Sequence, residues 1–166
     1  FSYLFDQDIS GWDVSNVINM RAMFGLALAF DENISNWNTS SVTDMSYMFS
    51  GAQNFNGNIS GWDVSNVSTM YRMFYNATSF NKGLSSWNTS NVHNMSNMFY
   101  SATSFDQDLG SWKISNLTDA TSMFDGVTLS TANYDSLLIG WASQAPSIQD
   151  NVTFSGGNSK YSITAL

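Results

Sequence analysis

The sequence predicts an α/β solenoid: a leucine-rich-repeat-like, right-handed coil of five 25-residue strand–short-helix units with a parallel sheet, followed by a C-terminal α+β cap. Three observations predict it. They are a strict 25-residue repeat, apolar spacing that changes from strand-like to helix-like within each unit, and loss of the period after residue 129. The repeat is clearest in tryptophan, which stands at positions 12, 37, 62, 87 and 112.

Five units account for most of a predicted repeat array over residues 1–129. Phenylalanine opens each unit, and a Met-Phe pair recurs near its end at intervals of 25 residues. The units are 5–29, 30–54, 55–79, 80–104 and 105–129, numbered 1 to 5 below. Since one unit cannot bury its own apolar face, we expect the units to stack, with each Trp, Phe and Met over its counterpart in the next unit.

The first half of each unit has the pattern of a strand, and the second half has the pattern of a short helix. Residues 12–15 (WDVS) alternate apolar and polar, and the apolar positions 9, 12, 14 and 17 are spaced as in a leucine-rich repeat. The apolar positions 17, 20, 23 and 24 then lie on one face of a helix. Ser15 or Asn16 is suited to cap its first N–H groups.

Residues 130–166 break the period and predict the cap. Residues 131–145 (TANYDSLLIGWASQA) have helical spacing, with Ser130 or Thr131 as the N-cap and Pro146 as the stop. Residues 152–155 predict a short strand before a Gly-Gly turn. We expect this segment to cover the apolar end of unit 5.

Composition and charge exclude several classes of function. The net charge of −8 argues against nucleic acid and against an anionic membrane surface. The absence of cysteine excludes disulfides, thiolate metal sites and a Cys nucleophile. No run of about 18 apolar residues is present to insert into a membrane. Because the chain starts at Phe1 inside a repeat, we expect a monomer that is a fragment of a longer chain.

The motif "FDQDISGWDVSNV" followed by "NMRAMF" resembles the BspA-like leucine-rich repeat surface proteins, the DUF285 repeat family. The resemblance covers nearly the whole chain. It implies a secreted or surface-attached bacterial protein with a role in adhesion and protein binding. It implies no catalytic residues and assigns no site to any position of this chain.

Two polar columns are predicted to face outward and to line a polar concave groove. The alternation of Asp with Asn in the first column keeps carboxylates two units apart and avoids repulsion between directly stacked charges. Each column is interpreted either as a solvated ladder whose members hydrogen-bond to one another or as the site that binds a protein or glycan. The members are Asp13, Asn38, Asp63 and Asn88 in the first column and Ser40, Ser65 and Ser90 in the second.

Three tyrosines are the other ligand-binding candidates. Tyr71 and Tyr75 are one helical turn apart, and Tyr100 repeats Tyr75 one unit later. Tyr47 stands nearby. Such a cluster is suited to stack on a sugar or to anchor a protein, and equally to pack between adjacent helices.

Pairs of acidic residues before the strand are candidate calcium ligands. Carboxylate oxygens at Asp6, Asp8, Asp106 and Asp108 are the ligand type that calcium prefers. The spacing does not match an EF-hand, and Asx-turns explain the same residues without a metal. Calcium is the only cofactor that the sequence leaves open.

The sequence predicts a non-enzymatic module. No nucleophile elbow, zinc-binding or phosphate-binding motif occurs, and the lone His93 occupies a position that varies between units. We therefore predict an extracellular, cell-surface or secreted bacterial module that binds a protein or glycan on another cell or in the matrix. A structural spacer of a larger surface protein and an ice- or ordered-water-binding surface remain as alternatives.

Overall fold

The computed structural model describes residues 2–162 as five stacked units followed by one helix, α1 (Thr131–Ala142). Backbone pairing between units is limited to isolated parallel bridges. These bridges link Asn19, Asp44, Thr69, Asn94 and Asp119 in turn. Residue 1 of the predicted array and residues 163–166 of the predicted cap lie outside the described residues.

The predicted α/β solenoid with a parallel sheet is wrong. Within residues 2–162 no strand extends beyond a single bridge, and the second half of each unit consists of turns where a short helix was predicted. Residues 12–15 form irregular chain and a turn instead of a strand. The predicted strand at 152–155 is reduced to one bridge, between Phe154 and Ala120, so the C-terminal segment is not an α+β cap.

Consecutive turns build each unit. The Trp12 N–H donates to the Ile9 carbonyl at 3.0 Å, and the Met23 N–H donates to the Met20 carbonyl at 3.2 Å. Such a turn brings residues three apart close together. The apolar residues therefore lie at the corners of turns, directed at the core. The apolar spacing that predicted one face of a helix is therefore produced by successive turns instead.

Two left-handed residues in every unit prevent a helix. An L-residue in this conformation costs roughly 1–2 kcal/mol and ends a right-handed helix. The backbone N–H groups then point along the stack, and Met20 and Phe24 donate to unit 2 at 2.9 and 2.8 Å. The positive φ angles occur at Ala22, Leu26, Tyr47, Gly51, Arg72, Asn76, Asn97, Ser101, Ser122 and Gly126.

Columns of aromatic rings form the core. The phenylalanines that open the units stack with centroids 5.8–6.0 Å apart, and those of the Met-Phe pairs stack at 5.4–5.6 Å. Trp37 and Trp62 lie 6.3 Å apart with planes inclined by 4°. Each buried ring of this size contributes about 1.5–3 kcal/mol. The predicted stacking of equivalent phenylalanines is confirmed, and among the tryptophans Trp37 stacks on Trp62 and Trp87 on Trp112.

Helix α1 closes the last unit. Its predicted N-cap, Ser130, accepts a hydrogen bond from the Asn133 N–H at 3.5 Å, and the helix ends at Ala142. In the stack, the Trp62 indole donates to the Ile34 carbonyl of the preceding unit at 3.1 Å. Trp141 of α1 donates to Leu109 at 3.3 Å and so continues the tryptophan column by one position.

Candidate functional site

The structure brings the three predicted tyrosines together with Tyr47 and with both arginines of the chain. The cluster runs along the outside of the turns in units 1 to 4. We call it the tyrosine–arginine surface. Its members are Arg21, Tyr47, Tyr71, Arg72, Tyr75 and Tyr100.

Cation–π contacts connect these side chains. The Arg21 guanidinium lies 4.6 Å from the centre of the Tyr47 ring. The Arg72 guanidinium lies 5.9, 5.2 and 4.9 Å from the rings of Tyr47, Tyr71 and Tyr75. Tyr47 and Tyr71 meet edge to face at 5.0 Å. Contacts of this kind are worth about 0.5–1 kcal/mol at exposed sites, so they help to hold these side chains in place.

Two tyrosines extend the surface into unit 4. The rings of Tyr75 and Tyr100 stack with centroids 4.8 Å apart. They occupy equivalent positions in adjacent units, so the register of the stack alone places one over the other. Both side chains are half-buried and keep part of each ring open to solvent.

The two arginines carry positive charges that no carboxylate among residues 2–162 neutralises. Within residues 2–162, neither Arg21 nor Arg72 forms an ion pair with a carboxylate. The Nε of Arg72 is buried and has no hydrogen-bond partner. The Tyr47 side chain and burial raise the pKa of Tyr71, although the positive charge of Arg72 opposes them. In a chain of net charge −8, this surface is a local region of positive charge.

A shallow hollow adjoins one end of the tyrosine–arginine surface. Its volume is about 300 Å³, and its walls include Arg21, Gly25, Leu26 and Tyr47. The hollow places apolar surface directly beside the Arg21 charge. A ligand with an apolar part and an anionic group fits that combination.

Sequence analysis missed both arginines of this surface. A signal for Arg72 exists in the repeat, because Tyr47 and Arg72 are 25 residues apart and share one column. Stacking places side chains of one column next to each other, so an aromatic ring and a cation in successive units are in contact. A search of every column for complementary pairs finds Arg72 but not Arg21, whose column continues with Ser46.

The predicted Asp/Asn column is exposed, but each side chain bonds within its own unit. Asp63 accepts a hydrogen bond from the Ser65 N–H at 2.9 Å, and Asn88 accepts from the Ser90 N–H at 3.2 Å. Hydrogen bonds from the Ser65 side chain and backbone lower the pKa of Asp63. Asp13 and Asn38 repeat this geometry. The expected hydrogen bonds between neighbouring units are not made in this column.

The predicted serine column supports the stack through its backbone. The carbonyl groups of Ser40, Ser65 and Ser90 accept hydrogen bonds from Asn side chains of the following unit at 2.6–2.8 Å. The serine side chains themselves are half-buried. Because there is no sheet within residues 2–162, the two predicted columns do not line a concave sheet face.

The four calcium candidates lie in the first and last units, at opposite ends of the stack. Asp8 accepts a hydrogen bond from the Ser10 N–H at 2.9 Å, and Asp108 accepts from the Gly110 N–H at 2.8 Å. Asp6 and Asp106 accept from backbone N–H groups farther along the chain. In the part of the chain described, no three His, Asp or Glu side chains are grouped to hold a metal ion. Calcium binding stays a prediction.

The fold and the surface define a repeat protein with an aromatic core and an outer surface of paired tyrosine and arginine. The chain matches the family described as "Mycoplasma protein of unknown function, DUF285" over residues 2–64 and 29–137. The second match alone spans more than half of the sequence, and the chain belongs to this family. No curated protein and no solved structure matches it. Among residues 2–162, no helix has the length and apolar character needed to cross a membrane.

Proposed function

We propose that this protein is a non-enzymatic binding module that recognises a protein or glycan through the tyrosine–arginine surface. The observation that carries the proposal is the convergence of four tyrosines and both arginines on one face. Tyrosine and arginine are among the side chains most enriched at the energetic centres of interfaces. Because both guanidinium groups lack an internal carboxylate partner among the residues described, the ligand carries a carboxylate or sulfate group.

The biological setting is part of the same proposal. The repeat motif resembles BspA-like leucine-rich repeat surface proteins, which supports a secreted or cell-surface location on a bacterium and a role in adhesion. The ligand is then a molecule of another cell or of the extracellular matrix. Membership of the DUF285 family is compatible with this role and carries no information on the ligand.

Binding is tested by screening the chain against glycans and matrix proteins, with and without EDTA. The decisive variant is Arg21→Gln with Arg72→Gln, which removes both charges and keeps side chains of similar length. Its matched control is Lys82→Gln with Lys160→Gln, which removes the same net charge elsewhere. We expect loss of at least about 1.4 kcal/mol, a tenfold weakening, for the arginine variant only.

Two further results separate the candidate surfaces. The variant Asp63→Lys with Asn88→Lys alters the Asp/Asn column and should leave binding intact. Loss of binding in that variant, with normal binding in the arginine variant, would assign the site to the column and contradict the proposal. Loss of binding in EDTA alone would assign the interaction to calcium.

A structural spacer is the second candidate function. It is favoured by the turns at Asp13, Asn38, Asp63 and Asn88, whose side chains are each bonded within the stack. A spacer predicts no ligand in the screen, and it predicts that whole units can be removed without loss of function of the parent protein.

A further inference from the structure

A ladder of aspartate and asparagine side chains runs along the length of the stack, at the second residue of each unit. The Oδ1 atom of each member accepts a hydrogen bond from a backbone N–H of the next unit. Asp31 accepts from Asn56 at 2.7 Å, and Asn56 accepts from Asn81 at 3.0 Å. Asp106 ends the ladder and accepts from the Ser130 N–H at the start of α1. We call this column the Asx ladder; its members are Asp6, Asp31, Asn56, Asn81 and Asp106.

Asn56 is the only member of the Asx ladder that glycine follows, and Asn56-Gly57 is the single Asn-Gly pair in the sequence. Glycine has no side chain to hinder its own backbone nitrogen, which can approach the preceding amide group closely. The Gly57 nitrogen loses its proton and bonds to Cγ of Asn56. The Cγ–Nδ2 bond then breaks, and Nδ2 takes up the proton and leaves as ammonia. Water opens the resulting cyclic imide to aspartate or isoaspartate.

The fold leaves the reacting groups of this pair available. Among the residues described, neither the Gly57 N–H nor the Nδ2 group of Asn56 donates a hydrogen bond. Both residues are half-buried, so each keeps part of its surface in contact with solvent. The Asn81 N–H donates to Oδ1 of Asn56 at 3.0 Å and stabilises the negative charge that develops on this oxygen during attack at Cγ.

We propose that Asn56 is a site of spontaneous deamidation in the folded protein, and that its conversion to isoaspartate loosens the stack at unit 3. Asn56 joins unit 3 to both neighbours, because its N–H donates to Asp31 and its Oδ1 accepts from Asn81. Isoaspartate routes the main chain through Cβ and Cγ and so lengthens the backbone between these two hydrogen bonds. The site is therefore a slow and irreversible switch of the contact between adjacent units.

The test compares the folded chain with a synthetic peptide of residues 52–60 in the same mildly alkaline buffer. Mass spectrometry of proteolytic fragments measures the conversion, because loss of the amide raises the mass, and fragmentation distinguishes isoaspartate from aspartate. We expect the folded chain to convert at Asn56 within about a hundredfold of the peptide's rate, since local opening costs far less than global unfolding. A reaction that required global unfolding would be slower than the peptide's by at least about a thousandfold.

Asn81 is the matched control within the same molecule. Its Oδ1 accepts the Asp106 N–H at 3.0 Å, as Oδ1 of Asn56 accepts the Asn81 N–H, but Lys82 follows it. We expect no detectable conversion at Asn81 in the native chain. In the Lys82→Gly variant, Asn81 should convert at a rate similar to that of Asn56. The isoaspartate form, separated from the native chain by its extra negative charge, should have a lower Tm.

Several outcomes would overturn the proposal. A folded-chain rate more than about a hundredfold below that of the peptide would show that the fold protects Asn56. Equal conversion at Asn56 and Asn81 in the native chain, or none at Asn81 in Lys82→Gly, would show that the glycine does not select the site. An unchanged Tm of the isoaspartate form would contradict the effect on the stack. None of these readouts involves the tyrosine–arginine ligand, so the result is independent of the proposed function.

Discussion

Single residues in the core alternate between units, and Thr39 shows why. Its hydroxyl is buried and donates to the Asp63 carbonyl at 2.9 Å, and Thr89 bonds in the same way to Lys113. The equivalent residues in units 1 and 3 are Val14 and Val64. Threonine thus replaces valine in units 2 and 4. At each of these positions the threonine hydroxyl donates to a backbone carbonyl of the next unit that accepts from no N–H group among the residues described.

Replacing this hydroxyl tests its contribution. Thr39→Val removes the hydrogen bond to the Asp63 carbonyl and should lower the free energy of unfolding by about 0.5–1.5 kcal/mol. Thr43→Val is the matched control, because Thr43 is exposed and its acceptor, Ile18, keeps a backbone donor. Urea unfolding of both variants measures the difference. Equal destabilisation would show that the buried hydrogen bond contributes nothing specific.

Left-handed residues give a second prediction at this scale. Ser101 has a φ of 53°, while glycine fills the equivalent positions in units 2 and 5. Ser101→Gly should raise the free energy of unfolding by up to about 1 kcal/mol, because relief of backbone strain exceeds the entropy that glycine adds to the unfolded chain. Asn76→Gly should gain less, since Asn tolerates this conformation. A loss of stability in Ser101→Gly, measured by urea unfolding, would contradict the strain argument.

At the scale of elements, the contact between α1 (Thr131–Ala142) and unit 5 depends on a departure from the repeat. Gly110 replaces the serine that stands at positions 10, 35, 60 and 85. A Cβ at Gly110 would come 2.8 Å from the Ser136 hydroxyl and closer still to the backbone of α1. The helix can therefore lie against unit 5 only where the repeat loses its side chain.

Restoring the repeat at this position should be harmful. Gly110→Ser is expected to lower the free energy of unfolding by about 1–3 kcal/mol through overpacking against α1. Gly61→Ser is the control, because a Cβ there meets no atom within 4 Å. Circular dichroism at the helical band, followed through thermal unfolding, reports both variants. Unchanged stability of Gly110→Ser would show that α1 does not need this close approach.

Asp106 connects α1 to the stack and makes the contact sensitive to acid. Burial acts to raise the pKa of Asp106, but hydrogen bonds from Asn133 and Ser130 outweigh it and hold the pKa below the usual value of an aspartate. A carboxyl group whose pKa is lowered by folding adds stability above its unfolded pKa. That stability disappears as the pH falls through the folded pKa.

Asp106→Asn should therefore lower the free energy of unfolding by about 0.3–1 kcal/mol near neutral pH, through loss of a negative charge at the start of α1. The difference from the native chain should be smaller at acid pH than at neutral pH, because the advantage of the charged group is lost as the pH falls through the folded pKa of Asp106. Urea unfolding at the two pH values measures it. Asp150→Asn, which removes an exposed carboxylate of the same segment, should have little effect at either pH. A difference of the same size in acid would show that charge is not the cause.

The type of element was harder to predict than its position. The 25-residue period located every unit because its signal is repeated five times. Ser130 indicated the start of α1 because an N-cap is a local signal. The turns were missed because apolar residues three positions apart fit the corners of successive turns as well as one face of a helix. Positive φ at Ala22, Tyr47 and Arg72 gives no signal in sequence, since these residues rarely adopt it. The tyrosines of the candidate surface were found, but their arginine partners were not.

At the scale of the whole molecule, each unit contacts only its neighbours, so charges interact according to which units are adjacent. In the Asp/Asn column, which Lys113 continues in unit 5, the alternation of Asp with Asn places Asp63 between Asn38 and Asn88. Deletion of residues 30–54 would place Asp63 beside Asp13, and deletion of residues 80–104 would place it beside Lys113. The two deletions keep the register and reverse the sign of one interaction.

One substitution therefore has opposite expected effects in the two shortened chains. Asp63→Asn should stabilise the chain lacking residues 30–54, because it removes repulsion from Asp13. It should destabilise the chain lacking residues 80–104, because it removes attraction to Lys113. In the full chain it should cost only what the charge of Asp63 adds to its hydrogen bond with the Ser65 N–H, since Asn preserves the turn as Asn88 does for Ser90, and the effects in the shortened chains are measured relative to this cost.

Urea unfolding at two salt concentrations measures these three differences. Both non-zero effects should shrink between about 0.1 and 1 M salt, because the screening length falls from about 10 Å to about 3 Å. The same sign in both deletions would mean that the units do not stack in the register that the aromatic columns define. Persistence of the effects in high salt would assign them to packing. Opposite signs that fade with salt would establish that Asp and Asn alternate to keep like charges out of adjacent units.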